Sequence, residues 1–187
     1  MEREFDDHVH GSIGKALSLM IDNQEEEVGA QSSVEASSPF WLHDPPWFPI
    51  EDYVSRFKQF VDTSSETFIV ALLYMDRLAL ADEAYQIAAN NVHCLVLACC
   101  VLAHKYYDED PTPNSLLAEV GGIEVGILNR LELEVLKGLH FNLEVPLEAF
   151  VHYRRQIARG AIARGLLKED QKDAWSSPSW CPRDKPG

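Results

Sequence analysis

Apolar residues crowd the middle of the chain. From Cys94 to Ala103 ten residues run without a polar break, inside the stretch Asn91 to Lys105. A bilayer span needs about 20 apolar residues, so a run this short predicts a buried core helix. No Gly or Pro interrupts residues 88–110. A helix apolar on every side must be enclosed by other elements. Around it the period is helical. Ile13, Ala16, Leu17, Met20 and Ile21 line one face of a helix over 13–21, expected to pack on the domain. A helix from Ile50 places Tyr53, Phe57 and Phe60 or Val61 together. The next is expected to start near Thr63, with Glu66 completing a capping box, and to run to Leu78. After the central helix, Thr112 as N-cap and Pro113 at the first helical position predict a short helix that Gly121 and Gly122 end. Leu128, Leu131, Val135, Leu136 and Leu139 share a face over 124–139, and Phe150, Tyr153 and Ile157 share one over 147–158.

Between these periods the chain loses its pattern. Residues 1–12 read as a flexible N-terminus. Residues 22–49 are acidic and Ser-rich, then aromatic and Pro-rich. The second part, Phe40 to Pro49, is expected to cross the domain as an extended segment glued down by its aromatics rather than to serve as a proline-rich ligand. Residues 50–140 form the helical domain. An extended connection and the last helix occupy 141–158, and 159–187 reads as a disordered tail. No segment alternates as a strand would, and no repeat occurs. The expectation is an all-α bundle with short loops.

Charge narrows the function. The formal net charge is −14, with two basic and ten acidic residues in 1–49 and nine and 16 in 50–159. Such a surface repels phosphate backbones, so no nucleic-acid partner is expected. Of the four cysteines, Cys94, Cys99 and Cys100 fall in the central helix and Cys181 in the tail, with no CxxC spacing. They read as small apolar residues in a reducing, intracellular compartment, nucleus or cytoplasm. The first residues lack the pattern of a signal peptide, and no membrane segment is expected.

No constellation reads as an active site, a cofactor site or a metal site. Gly121, Gly122 and Gly126 lack the Gly-Lys-Ser/Thr of a phosphate loop. His93, Cys94 and His104 lack zinc spacing, Asp108-Glu109-Asp110 is too short for a calcium loop, and His8 and His10 belong to a solvated terminus. Asp76 and Arg77 are expected to form an internal ion pair rather than a catalytic one. Lys105 and Glu132 stand out because each borders an apolar face. Lys105 ends the central helix, where the dipole favours a cation by roughly 0.3–1 kcal/mol. Charges in such places need partners, either each other or polar groups of a second protein.

Tyr74-Met-Asp-Arg77, Asn91-Val-His93, Ala103-His-Lys-Tyr-Tyr-Asp108, Val120-Gly-Gly122 and Leu131-Glu-Leu-Glu-Val-Leu136, in this order, resemble a cyclin box. Val-Gly-Gly, with the helix at 13–21, is most similar to the P/U-type cyclins, the class linked to phosphate-signalling kinases. The resemblance covers roughly residues 13–157. It implies a single five-helix box with one helix before it and one after. It implies a non-catalytic subunit that binds and activates a cyclin-dependent protein kinase as a heterodimer. Lys105 and Glu132 fall on the family's kinase-contacting lysine and glutamate, and Tyr106, Leu128 and Leu136 are the apolar contacts expected beside them. Tyr53-Val-Ser-Arg-Phe57 differs from the substrate-docking patch of cell-cycle cyclins, so no substrate groove is implied. Glu119 stands where P/U members commonly show Lys, and Cys94 where they often show Arg. The alternative role is a cyclin-fold adaptor that binds transcription or signalling proteins without a kinase.

Overall fold

The computed structural model describes residues 11–21 and 38–163. The expectations for residues 1–10, 22–37 and 164–187, His8, His10 and Cys181 among them, lie outside the described residues. Among those described there is no strand. The helices are α1 (11–21), α2 (Ile50–Phe60), α3 (Ser65–Ala81), α4 (Val92–Tyr107), α5 (Asn114–Gly121), α6 (Val125–Gly138) and α7 (Leu147–Ala163). A 3-10 turn, Glu83–Tyr85, follows α3. The five central helices, flanked by one before and one after, match the expected architecture.

The apolar run is the centre of the bundle. Every residue of α4 from Val92 to His104 is buried, and α2, α3 and α6 all pack on it. Burial of this kind stabilises by roughly 25 cal/mol per Å² of apolar surface. Close approach is made possible by glycine where helices meet. A Cβ at Gly121 would lie 2.4 Å from Leu97 Cδ2, and one at Gly14 would lie 2.9 Å from Glu51 Cα. α1 accordingly seats Ile13 and Leu17 in the core.

Three helix boundaries differ from expectation. The N-cap of α3 is Ser64, whose hydroxyl accepts from Thr67 N–H at 3.3 Å, not Thr63. α5 is capped at Pro113 and begins at Asn114, one residue later than its Thr-Pro signal implied. Both threonines are drawn elsewhere. Thr63 Oγ1 donates to Asp108 Oδ2 at 2.7 Å, and Thr112 N–H donates to His104 Nε2 at 2.8 Å. α7 runs on to Ala163, so 159–163 belong to a helix rather than a disordered tail. Gly160 alone, at about 1 kcal/mol against alanine, is a weak stop.

The aromatic segment before α2 does cross the domain, on part of its aromatics only. Phe40 is buried edge-on against Tyr85. Leu42 N–H donates to Asn90 O at 2.9 Å, and Asn90 Nδ2 returns a bond to Leu42 O at 3.1 Å. Trp47, in contrast, is 90% exposed. Phe60 is likewise 61% exposed, since the extended Val61 turns into the core in its place. Beyond α6, His140 and Phe141 adopt left-handed φ values of 52° and 58°. The chain that follows is fixed by two tyrosines. Tyr74 and Tyr107 both donate to Leu143 O, at 2.5 and 3.1 Å, and Val145 N–H donates to Tyr107 Oη at 2.9 Å.

Candidate functional site

The end of α4 brings together the charges singled out in the sequence. Lys105 Nζ donates to both carboxylate oxygens of Glu132, at 2.6 and 2.8 Å. Each helix supplies one partner: Lys105 from the last turn of α4, Glu132 from the middle of α6. The side chains are 31% and 15% exposed. The pair is therefore on the surface rim, open on one side. A fully solvated pair contributes a median of about 0–1 kcal/mol, and partial burial strengthens the attraction while adding a desolvation cost.

Two asparagines complete the arrangement. Asn114, the first residue of α5, donates from Nδ2 to Glu132 Oε2 at 2.9 Å and to Asn129 Oδ1 at 2.7 Å. Its own Oδ1 is buried without a hydrogen-bond partner. A buried acceptor left unmade costs about 1–3 kcal/mol. Neither asparagine was singled out by the sequence pattern.

Exposed apolar side chains lie on the same helices as the pair and on α5. Tyr106, Leu116, Val125 and Leu133 are all among the large exposed hydrophobics, and Leu136 is half-buried. Val125, Asn129, Glu132, Leu133 and Leu136 recur at the 3–4-residue spacing of one helical stripe along α6. Leu128 does not join it. It is 0% exposed, packed in the core, and cannot contact a partner from this position. At about 100° per residue, the apolar face of α6 has an inward half that holds Leu128, Leu131 and Val135, and an outward border that holds Leu133 and Leu136.

Behind Lys105 lies a buried polar network. His104 is fully buried; its Nδ1 bonds Asp108 Oδ2 at 2.5 Å. Its Nε2 accepts the Thr112 N–H, so the proton is on Nδ1 and the ring is the donor to Asp108. Thr67 Oγ1 donates to Asp108 Oδ1 at 3.0 Å. Thr112 Oγ1, His104 and Asp108 thus line up as a nucleophile, base and acid would. The lone pair a base needs is already taken by a backbone N–H. The network instead joins α3, α4 and the turn that leads into α5, and so sets where Asn114 meets Glu132.

The other candidates are dispersed. Asp76 and Arg77 do not pair as expected. Arg77 Nη1 donates to Glu144 O at 3.1 Å. Burial raises the Asp76 carboxyl above its ordinary pKa, and a hydrogen bond from Tyr153 partly offsets this. Cys94, Cys99 and Cys100 are free and buried. Burial pushes the Cys94 thiol up to about 11 and the other two further. Among the described residues no cluster of His, Cys, Asp or Glu could hold a metal ion, and no helix is long and apolar enough to cross a membrane.

Comparison with known proteins gives the arrangement a context. A family model described as Cyclin matches residues 13–143. The chain is 32% identical over 143 residues to Cyclin-P3-1 of Oryza sativa subsp. japonica, covering 76% of the chain and 60% of that protein. It is 32% identical over 125 residues to Cyclin-U2-1 of Arabidopsis thaliana, covering 65% and 56%. It is 33% identical over 120 residues to Cyclin-P1-1 of Oryza sativa subsp. japonica, covering 64% and 46%. The chain spans about half of the length of these relatives.

Proposed function

The chain belongs to the cyclin family, and from that premise we propose that it is a non-catalytic regulatory subunit that binds and activates a cyclin-dependent protein kinase. The observation that carries the proposal is the Lys105–Glu132 pair, held bidentate at the open rim of α4 and α6. Tyr106 and Leu136 supply apolar contact beside it, and Leu116, Val125 and Leu133 extend that surface. Asn114 Nδ2, donating to Glu132 Oε2 at 2.9 Å, helps to hold that carboxylate at the rim. Lys105 and Glu132 already satisfy one another, which orients both before a partner arrives and lowers the entropy lost on docking.

Activation is positional. A protein kinase is competent when the glutamate of its C helix pairs with its ATP-site lysine and its activation loop is ordered. A subunit that binds this state better than the inactive one shifts the population toward it. Reversing a 1:99 equilibrium to 99:1 takes about 5.5 kcal/mol of differential affinity. An interface burying on the order of 2,000 Å² can supply that. The free, buried thiols fit a reducing, intracellular compartment.

The test is to capture the chain from its native cell, identify the bound kinase, and repeat the capture with Lys105→Ala/Glu132→Ala. Removing both partners together strands neither charge. The expected result is at least tenfold weaker kinase binding with wild-type helical content by circular dichroism. Unchanged binding would sink the docking face. If the double variant unfolds, Leu133→Asp on the exposed stripe reports on the same face without touching the pair.

A further inference from the structure

A cavity of about 460 Å³ lies under the segment that crosses the domain before α2. It is half open, lined on one side by Pro46, Trp47 and Phe48 and on the others by residues of α2, the start of α4 and the end of α5. That volume is in the range of small-ligand sites, which are mostly apolar with a few placed polar groups. It lies at the far end of α5 from Asn114, away from the proposed kinase face.

The polar atoms of the wall are mostly committed within the fold. Tyr53 Oη donates to Gly121 O at 3.0 Å. His93 Nε2 donates to Phe48 O at 2.8 Å and ties the segment before α2 to α4; burial favours the neutral ring, whose Nδ1 is buried without a partner. Cys94 contributes a protonated thiol. Among the lining residues one carries a full charge, Arg56, and it is a cation in a chain of net charge −14. Its Nε donates to Val120 O at 2.8 Å, and Nη2 reaches Glu119 O at 3.5 Å. Its guanidinium carbon lies 5.8 Å from the centre of the Phe60 ring. No carboxylate pairs with it among the described residues. The guanidinium is thus fixed by carbonyls and an aromatic face, with Nη1 left to donate.

We propose that this cavity binds a small amphipathic carboxylate, its aromatic or aliphatic body against Tyr53, Leu97 and Phe48 and its acid group on the Arg56 guanidinium. A half-open apolar pocket with one cation at its solvent side selects this chemistry. A guanidinium takes a carboxylate through charge-assisted hydrogen bonds, and the apolar body supplies the burial. A neutral apolar molecule would leave the cation unused, and an organic cation would be repelled by it.

The experiment uses the full chain alone, so it stands apart from any kinase. Titration with 4-phenylbutyrate, followed by backbone amide NMR shifts, is compared with titration by the uncharged 4-phenylbutyramide. The acid is expected to saturate with a Kd of about 1 mM or tighter, moving the amides of Tyr53, Leu97, Gly121 and Ile123. The amide should bind at least tenfold more weakly. Arg56→Gln should bring the acid down to the level of the amide without changing the thermal midpoint. If that variant does not fold, Arg56→Lys replaces it, keeping the charge and part of the affinity. Equal binding of acid and amide would overturn the proposal. So would shifts scattered over the surface without saturation, or no shifts at all.

Discussion

His93 is the residue whose protonation the fold resists most plainly. Burial lowers its pKa below the ordinary 6.5, and the bond to Phe48 O only partly offsets this. A histidine depressed in the folded state contributes stability above its unfolded pKa. That contribution is lost as pH falls through 6.5 toward the lowered folded value, because the unfolded chain takes the proton first. Each unit of depression is worth about 1.4 kcal/mol. Asp76 acts with the opposite sign: its raised carboxyl adds stability as pH falls through the folded pKa toward 3.8. The urea midpoint is therefore expected to drop between pH 7 and pH 5, the range about the ordinary histidine pKa. His93→Gln, which keeps a donor for Phe48 O, should drop less than wild type over the same range. An identical pH profile for the two proteins would mean that the ring is not held neutral.

At the scale of elements, three glycines separate close packing from chain conformation. Gly121 of α5 faces Leu97 of α4 and Tyr53 of α2, and an added Cβ would meet Leu97 Cδ2 at 2.4 Å. Gly122 has φ +68° and open space around it; Gly126 has open space and an ordinary helical backbone. Gly121→Ala should cost about 1–3 kcal/mol by overpacking a buried leucine. Gly122→Ala should cost about 1 kcal/mol through its left-handed backbone. Gly126→Ala should stabilise by about 0.5–1 kcal/mol. Thermal midpoints of the three variants check this ordering, and a stabilised Gly121→Ala would show that α5 does not seat as described. Helix existence was legible from periodicity because each helix buries one stripe. Helix starts were less so. Thr63 and Thr112 look like caps locally, yet both are drawn into the His104–Asp108 network across 45 and 8 residues of chain. No window of local sequence contains that competition. Lys105 and Glu132 could be found because a charge bordering an apolar face is conspicuous. Asn114 could not, since an asparagine after Pro-Thr-Pro reads as a turn residue. Leu128 was misplaced because the pattern locates a face without saying which of its edges meets solvent.

For the molecule as a whole, charge and fold answer different questions. The helical order, with α4 at its centre, follows from where apolar residues can be buried and would survive many changes of surface charge. The net charge of −14 bears instead on what the surface admits. It separates the kinase-binding role from an adaptor that works on nucleic acid. A protein that neutralises Z phosphates shows a log–log salt slope near −0.9Z on duplex DNA. Doing so requires a clustered basic surface. Residues 50–159 carry 16 acidic against nine basic side chains. Three of the nine, Lys105, Lys137 and Arg154, are paired with Glu132, Glu134 and Glu66, and Arg77 is turned to the Glu144 carbonyl. Filter binding with a short DNA duplex and with single-stranded RNA should therefore retain nothing at physiological salt. Lowering the salt should add only weak retention without sequence preference. A steep negative salt slope would require the chain to present cations its fold spends elsewhere, and would move the assignment from kinase subunit to nucleic-acid adaptor.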